Sequence, residues 1–373
     1  MKKNIKKLSS MFLAAVMVLS LAACGLKKPE QQTETKTETE TKTETNTEDK
    51  TNEEANNGTA IEGVADSEHV TLVYAEVNPA DSLMGKTAAK FKETVEELSA
   101  GTITVDVQYG GVLGAEGDVL DTMIGGADTI DMARISAFSL NPYGTKLSSL
   151  LSVPYMIDNR EHFWKIAASE YGQEVLNEPV EIGLGVRGLF FVEEGFRHLF
   201  FSKEVKSIED IKGKKIRVST DPIMMGMIEN LGGSPTSIAF NELYSSLASG
   251  VVEGAEQPIA NYQSNAFNEV APYMILDGHT MGAAEVIITE TAWAKLSDAQ
   301  KQAVIEAGKV ASEFNGSLSE DNEQACIEEL KAEGVTFVEV PDLQPWRDAC
   351  AETIKKATEG MEDYVKLIQD LAK

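Results

Sequence analysis

Two arginines lie in segments where a guanidinium could bind a carboxylate. Arg197 lies in the segment EEGFRHLF, and Arg217 lies near the end of the strand-like segment KGKKIRVST. A guanidinium presents pairs of donors that match a carboxylate, so each arginine could hold an organic acid by two parallel hydrogen bonds. Arginine is usually a solvated surface residue, and that interpretation stays open for both. Their apolar and strand-forming neighbours favour side chains that turn into a cleft.

A third arginine, Arg134, lies in the strand-like segment IDMARIS, and side chains two residues apart on a strand share one face. If Arg134 faces a cleft as an extra cation, Ser136 therefore faces it too. Glu76 and Asn78 follow the first apolar strand, at the end where open α/β sheets place ligand contacts. Simple loop polarity explains Glu76 and Asn78 equally well. All four residues are candidate contacts for a polar organic ligand.

Sequence motifs of enzymes are missing. Gly183 to Gly188 match G-x-G-x-x-G, but a dinucleotide site needs a strand before the glycines and a helix after them, and the predicted order here is the reverse. There is no phosphate-binding loop, no H-E-x-x-H and no G-x-S-x-G. The four histidines are scattered along the chain: His69, His162, His198 and His279. We expect no enzymatic activity, no cofactor and no metal site.

The charge balance excludes a further class of partner. The 373 residues contain 33 Lys and Arg against 60 Asp and Glu, a formal net charge of −27. Such a chain does not bind nucleic-acid phosphates without a local basic patch, so we expect no nucleic-acid partner. Because the protein repels anions at long range, capture of an organic acid must depend on arginines inside a cleft.

The N-terminus has the features of an exported lipoprotein. A lysine-rich start and an apolar run predict a signal peptide over residues 1–23, and the run is shorter than the ~20 residues of a spanning helix. Leu21 to Gly25 resemble a bacterial lipobox, so Cys24 is predicted to carry lipid that holds the protein on the outer face of the cytoplasmic membrane. An ordinary cleaved signal is the alternative. Residues 24–60, rich in Thr and Glu, are predicted to form a disordered tether.

Apolar runs alternate with amphipathic segments from Val70 onward, which predicts an α/β fold. In a first set, strands are predicted at 70–77, 103–109, 129–136 and 186–194, with helices near 81–98, 115–125 and 160–177. In a second set, which begins after Gly195, strands are predicted at 214–219, 251–257 and 272–277, with helices near 222–231, 241–249 and 259–267. A strand at 283–290 precedes a long helix over 297–333. Cys326 and Cys350 could pair, but two buried thiols are favoured.

Four segments carry a family resemblance: GADTIDMARIS (126–136), GFRHLF (195–200), SIEDIKGKKIRV (207–218) and GGSPTSIAFNELYSSLASGVVEGAEQPIANY (232–262). In this order they resemble the extracytoplasmic substrate-binding subunit of tripartite ATP-independent periplasmic (TRAP) transporters, over about residues 69–360. The resemblance implies a two-domain, type II-like periplasmic-binding-protein fold with a hinge and a long C-terminal helix that spans both domains. It also implies closure on an organic acid, which then passes to the small and large subunits of a membrane permease.

The resemblance assigns roles to four residues. The arginine that pairs with the ligand carboxylate in the family matches Arg217, and the preceding arginine of the cleft matches Arg197. Phe240 matches an aromatic residue that packs against the ligand. Gln257 stands where the family usually has an asparagine that contacts the ligand, which keeps the amide and lengthens the side chain.

Together these observations predict domain I over 69–194 plus 283–322 and domain II over 195–282 plus 323–373. We expect a monomeric solute-binding protein of a TRAP transporter. Its ligand is expected to be a carboxylate, and a sugar acid such as a uronate is favoured over a C4-dicarboxylate. The alternative is a ligand sensor that presents the same fold to a signalling receptor, whereas an anchored hydrolase would lack a nucleophile and its base.

Overall fold

The computed structural model describes residues 59–373, so the predicted signal peptide, Cys24 and most of the tether lie outside the described residues. Its strands are β1 (Val70–Ala75), β2 (Ile103–Gln108), β3 (Met132–Ser136), β4 (Val186–Phe201), β5 (Lys215–Val218), β6 (Ser234–Ser237), β7 (Gly254–Pro258), β8 (Tyr273–Thr289) and β9 (Thr336–Glu339). Its α-helices are α1 (Leu83–Leu98), α2 (Glu116–Ile124), α3 (Arg160–Ala167), α4 (Glu170–Glu181), α5 (Pro222–Asn230), α6 (Leu243–Ala248), α7 (Ile259–Ser264), α8 (Glu290–Lys295), α9 (Asp298–Ala332), α10 (Gln344–Ala349), α11 (Ala351–Thr358) and α12 (Glu362–Leu371).

Local signals explain the long helices. The Ser82 hydroxyl accepts a hydrogen bond from the Gly85 amide at 3.0 Å and so caps α1, whose apolar residues recur every three or four positions and are buried. Ser297 and Gln300 form a reciprocal capping box at the start of α9. The predicted helix over 297–333 is therefore observed as α9 almost to the residue.

Within residues 59–373, nine strands form one sheet, in the order β2-β1-β3-β8-β4-β7-β5-β6, with β9 beside β8. The last residues of β8 pair with β3 and its first residues pair with β9, whereas β4 pairs with β8 along most of its length. The sheet therefore has two lobes, one around β1 to β3 and one around β5 to β7, and both contain β4 and β8. The prediction of an α/β fold with two lobes is confirmed.

The two shared strands are longer than predicted. β4 continues through Gly195, where we expected a strand to end, and β8 joins the predicted strands 272–277 and 283–290 into one. Gly195 has a φ of 92°. A Cβ atom on Gly282 would lie 2.8 Å from the carbonyl oxygen of Gly195. Only glycine adopts this φ without strain at position 195, and only glycine leaves room for this close approach at position 282. The predicted strand ends were wrong because the glycines permit close backbone approach here and do not end the ladder.

The C-terminal helices connect the lobes. α9 packs against α1 and β4 of the first lobe and against α7 of the second, where the Gln263 amide donates to Glu329 at 2.8 Å. α12 returns to the first lobe, because it packs on α3 and the Nε2 atom of His162 lies 2.7 Å from the carbonyl oxygen of Ile368. This contact differs from the expected assignment of residues 323–373 to the second domain, since chain order does not show where a terminal helix docks.

Candidate ligand-binding site

A cavity lies between the two lobes and is bordered by β4. It is lined by Val77, Asn78, Glu116, Arg134, Ser136, Phe138, Glu194, Arg197, Arg217, Ser219, Phe240, Gln257 and Asn261. Its volume is about 40 Å³, which holds only a few water molecules. An adjoining cleft of about 340 Å³ shares five of these residues: Glu116, Phe138, Arg217, Ser219 and Phe240. An organic acid must therefore extend into the cleft or bind when the two lobes are farther apart.

Arg217 is a buried cation that forms no ion pair with any of the described residues. It lies on β5 and is 3% exposed, and its Nε atom donates to the Ile238 carbonyl oxygen at 2.8 Å. Among residues 59–373, no carboxylate lies within 4.0 Å of this guanidinium. Burial lowers the pKa of Arg217 to about 10, because charge is costly in a desolvated site. The terminal nitrogens are thus available for an anion from outside the protein.

Arg197 is held by a carboxylate of the neighbouring strand. The pairing of β4 with β7 brings it beside Glu256, which accepts from Nε at 2.5 Å and from Nη2 at 3.0 Å. Burial alone would raise the pKa of Glu256, but Arg197 holds it at about 2. On the far side of Glu256 lies His279, whose pKa is about 9: burial lowers it, and Asp277 at 2.7 Å raises it more. Arg197 therefore lines the cavity with its charge already compensated.

Arg134 is compensated even more fully. Because β1 and β3 are parallel neighbours, Glu76 reaches it and accepts from Nε at 3.2 Å and from Nη2 at 2.9 Å. Nη1 donates to Glu116 and Glu194, each at 3.1 Å. The expectation that Arg134 offers an extra cation and that Glu76 lines the cleft is not met. Glu76 is 1% exposed and lies behind Arg134, outside the cavity lining.

The other predicted residues lie around the cavity. The backbone amide and hydroxyl of Ser136 donate to Glu116 at 3.0 and 3.4 Å, and the Asn78 side chain donates to Glu76 at 3.0 Å. Gln257 is 3% exposed on β7, and Phe240 is half-buried and packs edge-on against Phe267. Seven of the eight predicted contacts therefore surround one space, and they are Asn78, Arg134, Ser136, Arg197, Arg217, Phe240 and Gln257.

Sequence reasoning missed several lining residues. Glu116 occupies the first turn of α2, after a glycine-rich turn, and Glu194 precedes Arg197 by three residues. The short spacing between Glu194 and Arg197 along the chain was the signal that could have marked Glu194. Glu116 meets Arg134 only in the folded structure. Asn261 lies four residues after Gln257, in α7, and nothing in its local sequence marked it.

Two further sequence expectations concern the rest of the molecule. Cys326 and Cys350 are both buried free thiols, as favoured from the sequence. In the part of the chain that the structure describes, no helix is long and apolar enough to cross a membrane. The same residues contain no cluster of three His, Cys, Asp or Glu that could hold a metal ion.

Comparison with known proteins identifies the family. Residues 74–360 match the model of the bacterial extracellular solute-binding proteins of family 7, DctP. A solute-binding protein of Roseobacter denitrificans is 33% identical over 276 residues, which are 74% of this chain and 83% of that protein.

Solved structures agree with this match. A TRAP periplasmic solute-binding protein from Pseudomonas putida F1, with bound D-glucuronate, is 30% identical with a TM-score of 0.77, covering 80% of this chain and 97% of that one. A second one, from Roseobacter denitrificans with bound L-galactonate, is 30% identical with a TM-score of 0.75, covering 82% and 100%. Members of this family are binding components of transporters and not enzymes. The chain belongs to the bacterial extracellular solute-binding proteins of family 7, the extracytoplasmic subunits that supply TRAP permeases with their substrates.

Proposed function

We propose that this protein captures a sugar acid and that the ligand carboxylate binds to Arg217. The observation that carries the proposal is the absence of a counter-charge for this buried guanidinium within the described residues. A charge-assisted pair formed there is worth roughly 1.5–3 kcal/mol, because the site excludes water. A surface pair would contribute almost nothing.

The remaining lining favours a hydroxylated ligand. The hydroxyl of Ser219 is buried without a hydrogen-bond partner among residues 59–373, and Gln257 and Asn261 present amides to the same space. Such groups bind sugar hydroxyls by donating and accepting hydrogen bonds. Phe138 and Phe240 offer apolar ring surfaces. The D-glucuronate and L-galactonate bound by the two related structures are ligands of the same chemical class.

The two lobes are proposed to close on this ligand. Domain I would comprise residues 69–194 plus 283–322 and domain II most of the remainder, with the hinge at Gly195 and Gly282, where β4 and β8 approach closely. Arg217 belongs to the second lobe and Arg134 to the first, so a ligand between these two residues would contact both lobes. Closure would also enlarge the contact between ligand and protein beyond the present cavity.

The protein is further proposed to act as a lipid-anchored monomer. Lipid on Cys24 would hold it at the membrane, and residues 24–60 would let the binding domain reach the permease. Two or three acyl chains, at ~0.8 kcal/mol per buried methylene, give stable attachment.

Thermal-shift measurements on the full chain test the ligand class. Sugar acids and the matching neutral sugars, D-glucose and D-galactose, are compared at equal concentration. A cognate acid at about 100 times its Kd stabilises the folded state by roughly 2.7 kcal/mol and raises Tm, whereas the neutral sugars leave Tm unchanged. A shift with the neutral sugars, or none with any sugar acid, would refute the proposal.

A further inference from the structure

The three arginines that line the cavity differ in how their charge is balanced. Arg134 contacts three carboxylates, and Arg197 forms a two-bond pair with Glu256. Within residues 59–373, Arg217 is the lining arginine without a carboxylate within 4.0 Å. The cavity therefore offers one guanidinium without a carboxylate partner, at one place, to an incoming anion.

We propose that the site accepts a single carboxylate and rejects ligands that carry a second one, with Glu116 as the residue that sets this selectivity. The inference rests on the proposed function and deepens it, because it divides sugar acids by charge. Uronates and aldonates, which have one carboxylate, would bind. Aldarates, the same carbon skeletons with a carboxylate at both ends, would be excluded.

Glu116 borders the same two spaces as Arg217. It lines both the cavity and the adjoining cleft, as Arg217 does, so a ligand that extends from Arg217 shares this wall. Its Oε1 atom accepts from Arg134 and Ser136, and its Oε2 atom accepts from the Ser139 hydroxyl at 2.6 Å. Each oxygen is an acceptor, so Glu116 can bind a ligand hydroxyl and repels a ligand carboxylate.

Glu194 adds negative charge to the same wall. It is 3% exposed, lies 3.1 Å from Arg134 and 3.7 Å from Arg197, and lines the cavity. A second ligand carboxylate would thus meet carboxylates whose own arginines are already engaged. Like charges brought together in a desolvated site are strongly unfavourable, and we expect a loss of about 100-fold or more in affinity.

The decisive measurement uses the full chain and sets of ligands that differ in charge. D-glucuronate is compared with D-glucarate and with the monoamide of D-glucarate, which matches the diacid in size but has one charge. L-galactonate is compared with galactarate in the same way. In at least one series the monoacid and the monoamide bind, and the diacid binds at least 100-fold more weakly.

A charge-removing variant tests the role of Glu116. Glu116→Gln keeps an acceptor for Arg134 and Ser136 and removes the charge, so it should reduce the preference for monoacid over diacid at least tenfold. Glu97→Gln, the same change at an exposed position on α1, should leave the preference unchanged. An unchanged preference in Glu116→Gln would overturn the assignment to this residue.

The outcomes separate this inference from the proposed function. A diacid that binds the wild type within threefold of its monoacid overturns the single-anion site and leaves the sugar-acid assignment intact. Failure of every monoacid and diacid to bind overturns the proposed function, and this inference falls with it. Since the three gluco ligands are compared on the wild-type protein, the result does not depend on whether Glu116→Gln folds.

Discussion

Replacement of Arg217 by methionine should weaken ligand binding strongly without unfolding the protein. Methionine keeps an unbranched apolar stem, although a shorter one, and removes the charge. In the free protein, burial lowers the pKa of Arg217 to about 10, so the variant is relieved of the cost of burying this charge, which is on the order of 3 kcal/mol. The Ile238 carbonyl oxygen loses its donor, which costs about 1–3 kcal/mol. The two effects nearly cancel, so the Tm of the ligand-free protein should change little.

Binding should change much more than stability. The variant loses the charge-assisted contact and leaves a ligand carboxylate buried without a partner, so we expect a loss of about 2–4 kcal/mol, or 30- to 1000-fold in Kd. Calorimetric titration with the sugar acid found by thermal shift measures this loss. Arg187→Met, the same change at an arginine that pairs with Glu290 outside the cavity, should leave Kd unaltered. A Kd for Arg217→Met within threefold of wild type would show that Arg217 does not hold the carboxylate.

Three further predictions concern anchoring, pH and closure. Cys24→Ser should release the protein from membranes or block its processing, as fractionation after fatty-acid labelling would show; unchanged attachment with normal processing would exclude a lipid on this residue. Glu285 is fully buried on β8 and both its carboxylate oxygens lack partners among residues 59–373, so burial raises its pKa to about 8. Because an unfolded glutamate titrates near 4.3, the buried Glu285 lowers the free energy of unfolding more and more as the pH rises from about 4.5 to 8. The difference in free energy of unfolding between Glu285→Gln and wild type should therefore increase, in favour of the variant, by on the order of 3 kcal/mol between pH 5 and pH 8. Equal Tm differences at the two pH values would contradict this. Small-angle scattering should show a smaller radius of gyration with saturating ligand, since a shift from mostly open to mostly closed needs about 5.5 kcal/mol of differential binding; superimposable curves with confirmed binding would exclude hinge closure.

The buried charges beside the paired strands β4 and β8 also bear on closure. Glu194 links Arg134 of the first lobe to Arg197 on β4, and Glu256 continues the series to His279 on β8. These groups come from strands that both lobes share or that border the hinge. Such a network fixes the side chains of the site before a ligand arrives, which reduces the entropy lost on binding.

The α/β fold and the positions of most elements followed from local patterns. The helix of α9 begins with a capping box and the strand of β1 consists mostly of apolar residues, so both were predictable from neighbours in the chain. β6 and β9 were not predicted, because each has four residues and no run of buried apolar side chains. Their pairing depends on neighbouring strands that lie far away in sequence.

By itself, the sequence determined which residue types were available: arginines in strand-like segments, an acidic surface, and glycines where backbones approach. Only the tertiary structure decided which arginine is free to bind an anion. Arg134, Arg197 and Arg217 look alike in sequence, yet Glu76 and Glu256 reach the first two across neighbouring strands. Charge compensation depends on distances of about 3 Å between residues up to 60 positions apart, and no local pattern records such distances.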